Sequence, residues 1–110
     1  MMTNNILVDK INTKEEYDMY LSNEEFVAVY YSSENCGVCQ TMKPIVVDIF
    51  DSNKLPIREI SINELREVAA QQLILKSPTV VVYDRGREIL RSSGFIDTNR
   101  LNDQVGIMMS

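Results

Sequence analysis

The chain has two cysteines, and they stand together in Cys36-Gly37-Val38-Cys39. The tetrapeptide follows the apolar run Phe26-Val27-Ala28-Val29-Tyr30-Tyr31 and opens a stretch of helical periodicity. Both thiols therefore sit at one strand-to-helix junction, so the chain has no disulfide framework and must close a hydrophobic core unaided. Two thiols at this spacing, at the mouth of a helix, read as a redox pair for thiol–disulfide exchange.

The elements around that junction follow from periodicity. Ile6-Leu7-Val8 reads as a short first strand. Thr13-Lys14-Glu15-Glu16 is a capping box that opens a helix carrying Tyr17, Tyr20 and Leu21 as far as Ser22-Asn23. The unbroken apolar run from Phe26 to Tyr31 suits a central strand covered on both faces. After Ser32-Ser33-Glu34-Asn35 a helix is predicted over 36–50, with Met42, Ile45, Val46, Ile49 and Phe50 buried. Pro44 falls inside it, removes one backbone bond and should kink the axis.

Ile57, Ile60 and Ile62 mark a further strand. Asn63 is the expected N-cap of a helix over 64–73 with Leu65, Val68, Ala69 and Leu73 on its apolar face. Thr79 to Tyr83 is a strand that Asp84-Arg85-Gly86-Arg87 turns into Glu88-Ile89-Leu90-Arg91, with Gly86 as the left-handed residue. Asp97 caps a last helix bearing Leu101, Val105, Met108 and Met109. The order β-α-β-α-β-α-β-β-α, with right-handed crossovers, makes the early strands parallel and adds an antiparallel hairpin. The expectation is one α/β domain over residues 1–110.

Composition narrows the partners. Hydrophobic residues make up 45% and charged residues 25% of the chain, so a domain of this length can bury a core with neither staples nor metal. Eleven Lys and Arg against sixteen Asp and Glu give a net charge of −5 with no basic cluster, which argues against nucleic acid and anionic membranes. No apolar stretch approaches the roughly 20 residues of a membrane helix. Met1-Met2-Thr3-Asn4-Asn5 lacks the basic and apolar regions of a secretory signal, and a cytoplasmic location is expected. In that reducing compartment a disulfide is more often transient and catalytic than structural. A zinc site is disfavoured, because four ligands are needed and the chain has no histidine and no third cysteine. Lys43, Arg58 and Arg66 belong to no motif, the methionines read as core fillers or chain ends, and Tyr30 and Tyr31 as packing residues.

Three landmarks, in order along nearly the whole chain, make it resemble the thioredoxin family. They are Cys36-Gly37-Val38-Cys39 with Pro44 five residues beyond, Ser77-Pro78-Thr79 just before a strand, and Gly86 and Gly94 at family spacing from Pro78. The resemblance implies a thioredoxin fold, with a central mixed sheet of four to five strands flanked by about four helices. It also implies a cis bond before Pro78 in a substrate-binding loop with Ser77 and Gly94, and no bound cofactor beyond a redox-active Cys36–Cys39 disulfide. Partners would be disulfide-containing proteins or small thiols, with a flavin- and NADPH-dependent reductase as electron source, and the protein would be a monomer. The departures are Asn35 where the family has tryptophan and Val38 where it has proline. Tyr30 stands for the buried aspartate and Glu59 for its lysine partner.

These residues suit a disulfide reductase. The helix N-terminus favours a Cys36 thiolate by about 0.3–2 kcal/mol, whereas Glu34 opposes it and no histidine assists. A moderately activated nucleophile without cationic neighbours points to a reductant, with Cys39 resolving the mixed disulfide. Glu59, lacking the usual lysine, is the candidate proton acceptor, its pKa expected to rise on desolvation; pointing to solvent beside Arg58 is the alternative. A redox-sensing or protein-binding module of the same fold with little turnover is the rival function.

Overall fold

The structure, a computed structural model, describes residues 8–23 and 25–110. Four strands form one mixed sheet in the order β2-β1-β3-β4. They are β1 (Phe26–Ser32), β2 (Ile57–Ser61), β3 (Thr79–Asp84) and β4 (Arg87–Ser93), joined by α1 (Lys14–Leu21), α2 (Gly37–Ser52), α3 (Arg66–Gln71) and α4 (Thr98–Met109). β1 runs parallel to β2 and antiparallel to β3.

The apolar run of β1 is unbroken because helices cover both faces of the sheet. Val27, Val29 and Tyr31 point into a core shared with Tyr17, Leu21, Val68 and Val81. Ala28 and Tyr30 point the other way, against Met42, Val46, Phe50, Leu101 and Val105 of α2 and α4. Each large apolar side chain so buried contributes about 1.5–3 kcal/mol.

The Thr13 capping box is present: the Glu16 N–H donates to Thr13 Oγ1 at 3.1 Å and the Thr13 N–H to Glu16 Oε1 at 3.1 Å. Asp97 caps α4, accepting from the Arg100 N–H. Pro44 lies inside α2. Ile6 and Leu7 of the expected first strand, like Met1 and Met2, lie outside the described residues; beyond them Asp9 and Ile11 exchange backbone hydrogen bonds with Glu59 on the edge of β2.

Some expectations are corrected. Asn63 does not cap α3, which starts at Arg66 behind Leu65; its Oδ1 instead accepts the Glu34 N–H at 2.8 Å, so a contact with the redox loop takes the side chain away from the helix. Leu73 is exposed rather than buried: it sits at φ 55° just past the end of α3, where the chain reverses and turns Ile74 inward instead. Ile45 is exposed on α2 and Val47 takes its place in the core, while Met19 is exposed on α1. In the hairpin turn Arg85 (φ 52°) shares the left-handed conformation with Gly86 (φ 83°), as a two-residue turn with two positive φ values demands.

Candidate active site

Asn35 makes the turn into the site. At φ 54° it occupies the left-handed region, which asparagine tolerates better than most residues, and the chain leaves it with Cys36 as the N-cap of α2. The two sulfurs are joined as a Cys36–Cys39 disulfide with Cα atoms 5.2 Å apart, a usual Cα separation for such a bond. The Cys39 backbone N–H donates to Cys36 Sγ at 3.1 Å, so an N–H left unpaired by the first helical turn already points at the sulfur that would carry charge. Cys36 is half-buried whereas Cys39 is 2% exposed. An incoming disulfide can therefore reach only the first of the two. Gly37 is exposed, and Val38 packs on the core between α2 and the sheet.

The loop before β3 faces this helix tip. The Ser77–Pro78 peptide bond is cis, and the Ser77 carbonyl oxygen lies 3.9 Å from Cys36 Sγ. Gly94, at φ 71°, donates its N–H to the Pro78 carbonyl at 2.8 Å and holds the loop in place from the far side. No heavy atom lies within 4 Å of where a Cβ would stand on Gly94, so it is the backbone angle, not crowding, that calls for glycine there. Among the described residues, the Ser77 N–H and C=O enter none of the backbone hydrogen bonds that tie the loops together.

Behind Cys39 a cavity of about 230 Å³ is lined by Ser32, Cys39, Lys43 and Glu59, among others. Glu59 is the one buried carboxylate among the described residues, at 8% exposure, so it does not point to solvent. The expectation that it lacks a cationic partner is corrected. Lys43, one helical turn beyond Cys39, donates to Glu59 Oε1 at 2.8 Å, and Ser32 Oγ donates to Oε2 at 2.8 Å. Lys43 and Ser32 carried no motif; the only signal was the four-residue spacing that puts Lys43 on the same helix face as Cys39.

Tyr30 is paired with Glu59 in the β1–β2 register and donates its hydroxyl to the Cys39 carbonyl at 2.7 Å. Burial, helped by the Glu59 charge, pushes its phenol well above the ordinary tyrosine range. The hydroxyl therefore stays protonated at neutral pH and is a donor, not a base.

A dithiol pair closed as a disulfide at a helix N-terminus, facing a cis-proline loop, defines a thiol–disulfide oxidoreductase. The sequence model of the thioredoxin family matches residues 8–106. The chain belongs to the thioredoxin family, and with its CxxC disulfide it is a protein-disulfide reductase. It is 27% identical over 94 residues to a thioredoxin of Mycoplasmoides gallisepticum, covering 84% of this chain and 94% of that one. A 76-residue stretch, 67% of the chain, is 32% identical to part of NADPH-dependent thioredoxin reductase 3 of Arabidopsis thaliana, of which it covers 14%. The solution structure of oxidised thioredoxin from Plasmodium falciparum superimposes with a TM-score of 0.80 at 22% identity, covering 94% of this chain and all of that one, a likeness of fold.

Proposed function

We propose that the protein works as a cytoplasmic reductant, a single domain over residues 1–110 acting as a monomer on disulfides in proteins or small thiols. Reduced Cys36 attacks one substrate sulfur as a thiolate. A bond forms between them, the substrate disulfide breaks, and the other substrate sulfur leaves as a thiolate that takes up a proton. Cys39 then attacks Cys36 Sγ, the internal disulfide forms, and the second substrate thiol is released. Two electrons pass to the substrate and the dithiol is left oxidised.

Glu59 accepts the Cys39 proton across the cavity they share, with Lys43 and Ser32 holding the carboxylate in place. The Ser77 backbone pairs with an extended substrate segment, with Pro78 and Gly94 shaping the loop. Cytoplasmic work in cell redox homeostasis is supported by the use of both cysteines in one exchange pair. An NADPH- and flavin-dependent reductase is the electron source the family resemblance implies, and its NADPH dependence is supported by the match to part of a chain named NADPH-dependent thioredoxin reductase 3.

The observation that carries this reading is the asymmetry of the pair: Cys36 is half-buried and receives a helix N–H, whereas Cys39 is sealed beneath it. Insulin turbidity with dithiothreitol tests it. The wild type should accelerate precipitation and Cys36→Ser should not. Equal traces would remove the catalytic claim and favour a binding module of the same fold.

A further inference from the structure

Two hydroxyls beside the attacking sulfur are required by neither the fold nor the dithiol pair. Ser33, in the loop after β1, and Ser77, before Pro78, are 44 residues apart in the chain, yet their Oγ atoms lie 2.6 Å apart. Ser77 Oγ is in turn 3.9 Å from Cys36 Sγ. Both serines are half-buried, so water competes less for their hydroxyls than it would at an open surface. A hydroxyl has one proton to give and lone pairs to receive another, so Ser77 can accept from Ser33 and donate to sulfur at once.

In the disulfide the sulfur is a weak acceptor. As a thiolate it carries a full charge, and an O–H donor then forms a charge-assisted hydrogen bond. We propose that Ser77 is a catalytic residue of the exchange, its O–H donating to the Cys36 thiolate. Ser33 is a positioning residue that donates to Ser77 Oγ and keeps the Ser77 proton turned toward sulfur. Ser77 loses no proton and forms no covalent bond in either half of the reaction. Its effect is to favour the ionised reduced form of Cys36, adding a second donor to that of the Cys39 N–H. The charged residues on the segments meeting here are Glu34 beside Ser33, Lys76 beside Ser77, Lys10, Lys43, Glu59 and Glu64 around the cavity on the Cys39 side, and Asp97 beyond Gly94. Serine substitutions leave all of them in place.

The inference rests on Cys36 being the nucleophile, and one experiment separates the two. The reduced full-length protein is alkylated with iodoacetamide across a pH series, the labelled cysteine is located by mass spectrometry, and folding is checked by far-UV circular dichroism. Ser77→Ala should move the Cys36 profile to higher pH, with alkylation on its acid side slowed about three- to tenfold. Ser33→Ala should move it the same way by less, and Ser77→Thr, which keeps the hydroxyl, should restore the wild-type curve. Label on Cys39 rather than Cys36 would overturn the nucleophile assignment and this role with it. Label on Cys36 with a Ser77→Ala profile superimposed on the wild type would overturn the hydroxyl role alone, as would a Ser77→Thr profile shifted as far as Ser77→Ala. Should Ser77→Ala fail to fold, Ser33→Ala decides, an upward shift supporting the relay and an unmoved curve overturning it.

Discussion

Glu59 is buried, lines the cavity behind Cys39, and is held at both oxygens by Lys43 and Ser32. Tyr30, where the resemblance puts an aspartate, is a neutral phenol bonded to the Cys39 carbonyl and cannot take the proton. Glu59→Gln retains an oxygen for one neighbour but loses the charge and the ability to accept a proton. The expected result is a slowed second thiolate release when the reduced protein meets an aromatic disulfide, by about tenfold or more, with the first release unchanged. Stopped-flow absorbance of the liberated aromatic thiolate resolves the two phases. An unchanged second phase would discard the role. The two cysteines were readable from the sequence because a CxxC at a strand-to-helix junction is a local pattern. Lys43 was not, because its partner lies on a strand that follows the helix.

The helix ends show how local chemistry and packing divide the work. α2 and α3 both stop in the same motif. Leu55 N–H reaches back to Phe50 C=O at 2.9 Å and Lys54 N–H to Asp51 C=O, while Ile74 reaches Ala69 at 2.9 Å and Leu73 reaches Ala70. The residue that turns left-handed is Lys54 (φ 58°) in one and Leu73 (φ 55°) in the other, although glycine is the usual occupant. The motif forms without glycine because the following residue, Leu55 or Ile74, is buried in the core. Lys54→Gly removes the steric cost of the left-handed backbone and should stabilise the protein by about 0.5–1 kcal/mol, raising the thermal midpoint by about 2–6 °C. A lowered midpoint in thermal unfolding would show that Lys54 contributes more through its side chain than its backbone angle costs.

Across the whole molecule the tyrosines serve both cores, Tyr17, Tyr20, Tyr31 and Tyr83 on one face of the sheet and Tyr30 on the other. All five are bonded through their hydroxyls. Tyr17, Tyr31 and Tyr83 meet one another, with Tyr83 also donating to Gln72 Oε1, while Tyr20 donates to the Ala28 carbonyl and Tyr30 to that of Cys39. Burial raises the pKa of every one above the ordinary tyrosine value of 10.0. Because the folded state favours the neutral phenol, this contribution to stability is complete below about pH 10, where unfolded tyrosine ionises, and is lost as pH rises beyond it. Tyrosinate absorbance should stay low at about pH 10 and then appear together with the loss of far-UV circular dichroism. A gradual titration centred near 10 in a still-folded protein would contradict this. Taken by itself the sequence determined the redox pair, the Thr13 and Asp97 caps of α1 and α4 and a central strand covered on both sides, since each is written in neighbouring residues or in a period of two or 3.6. Only the tertiary structure decided that Lys43 meets Glu59, 16 residues on, and that Ser33 meets Ser77 beside Cys36. Those contacts depend on strand register and loop placement, and no spacing along the chain encodes them.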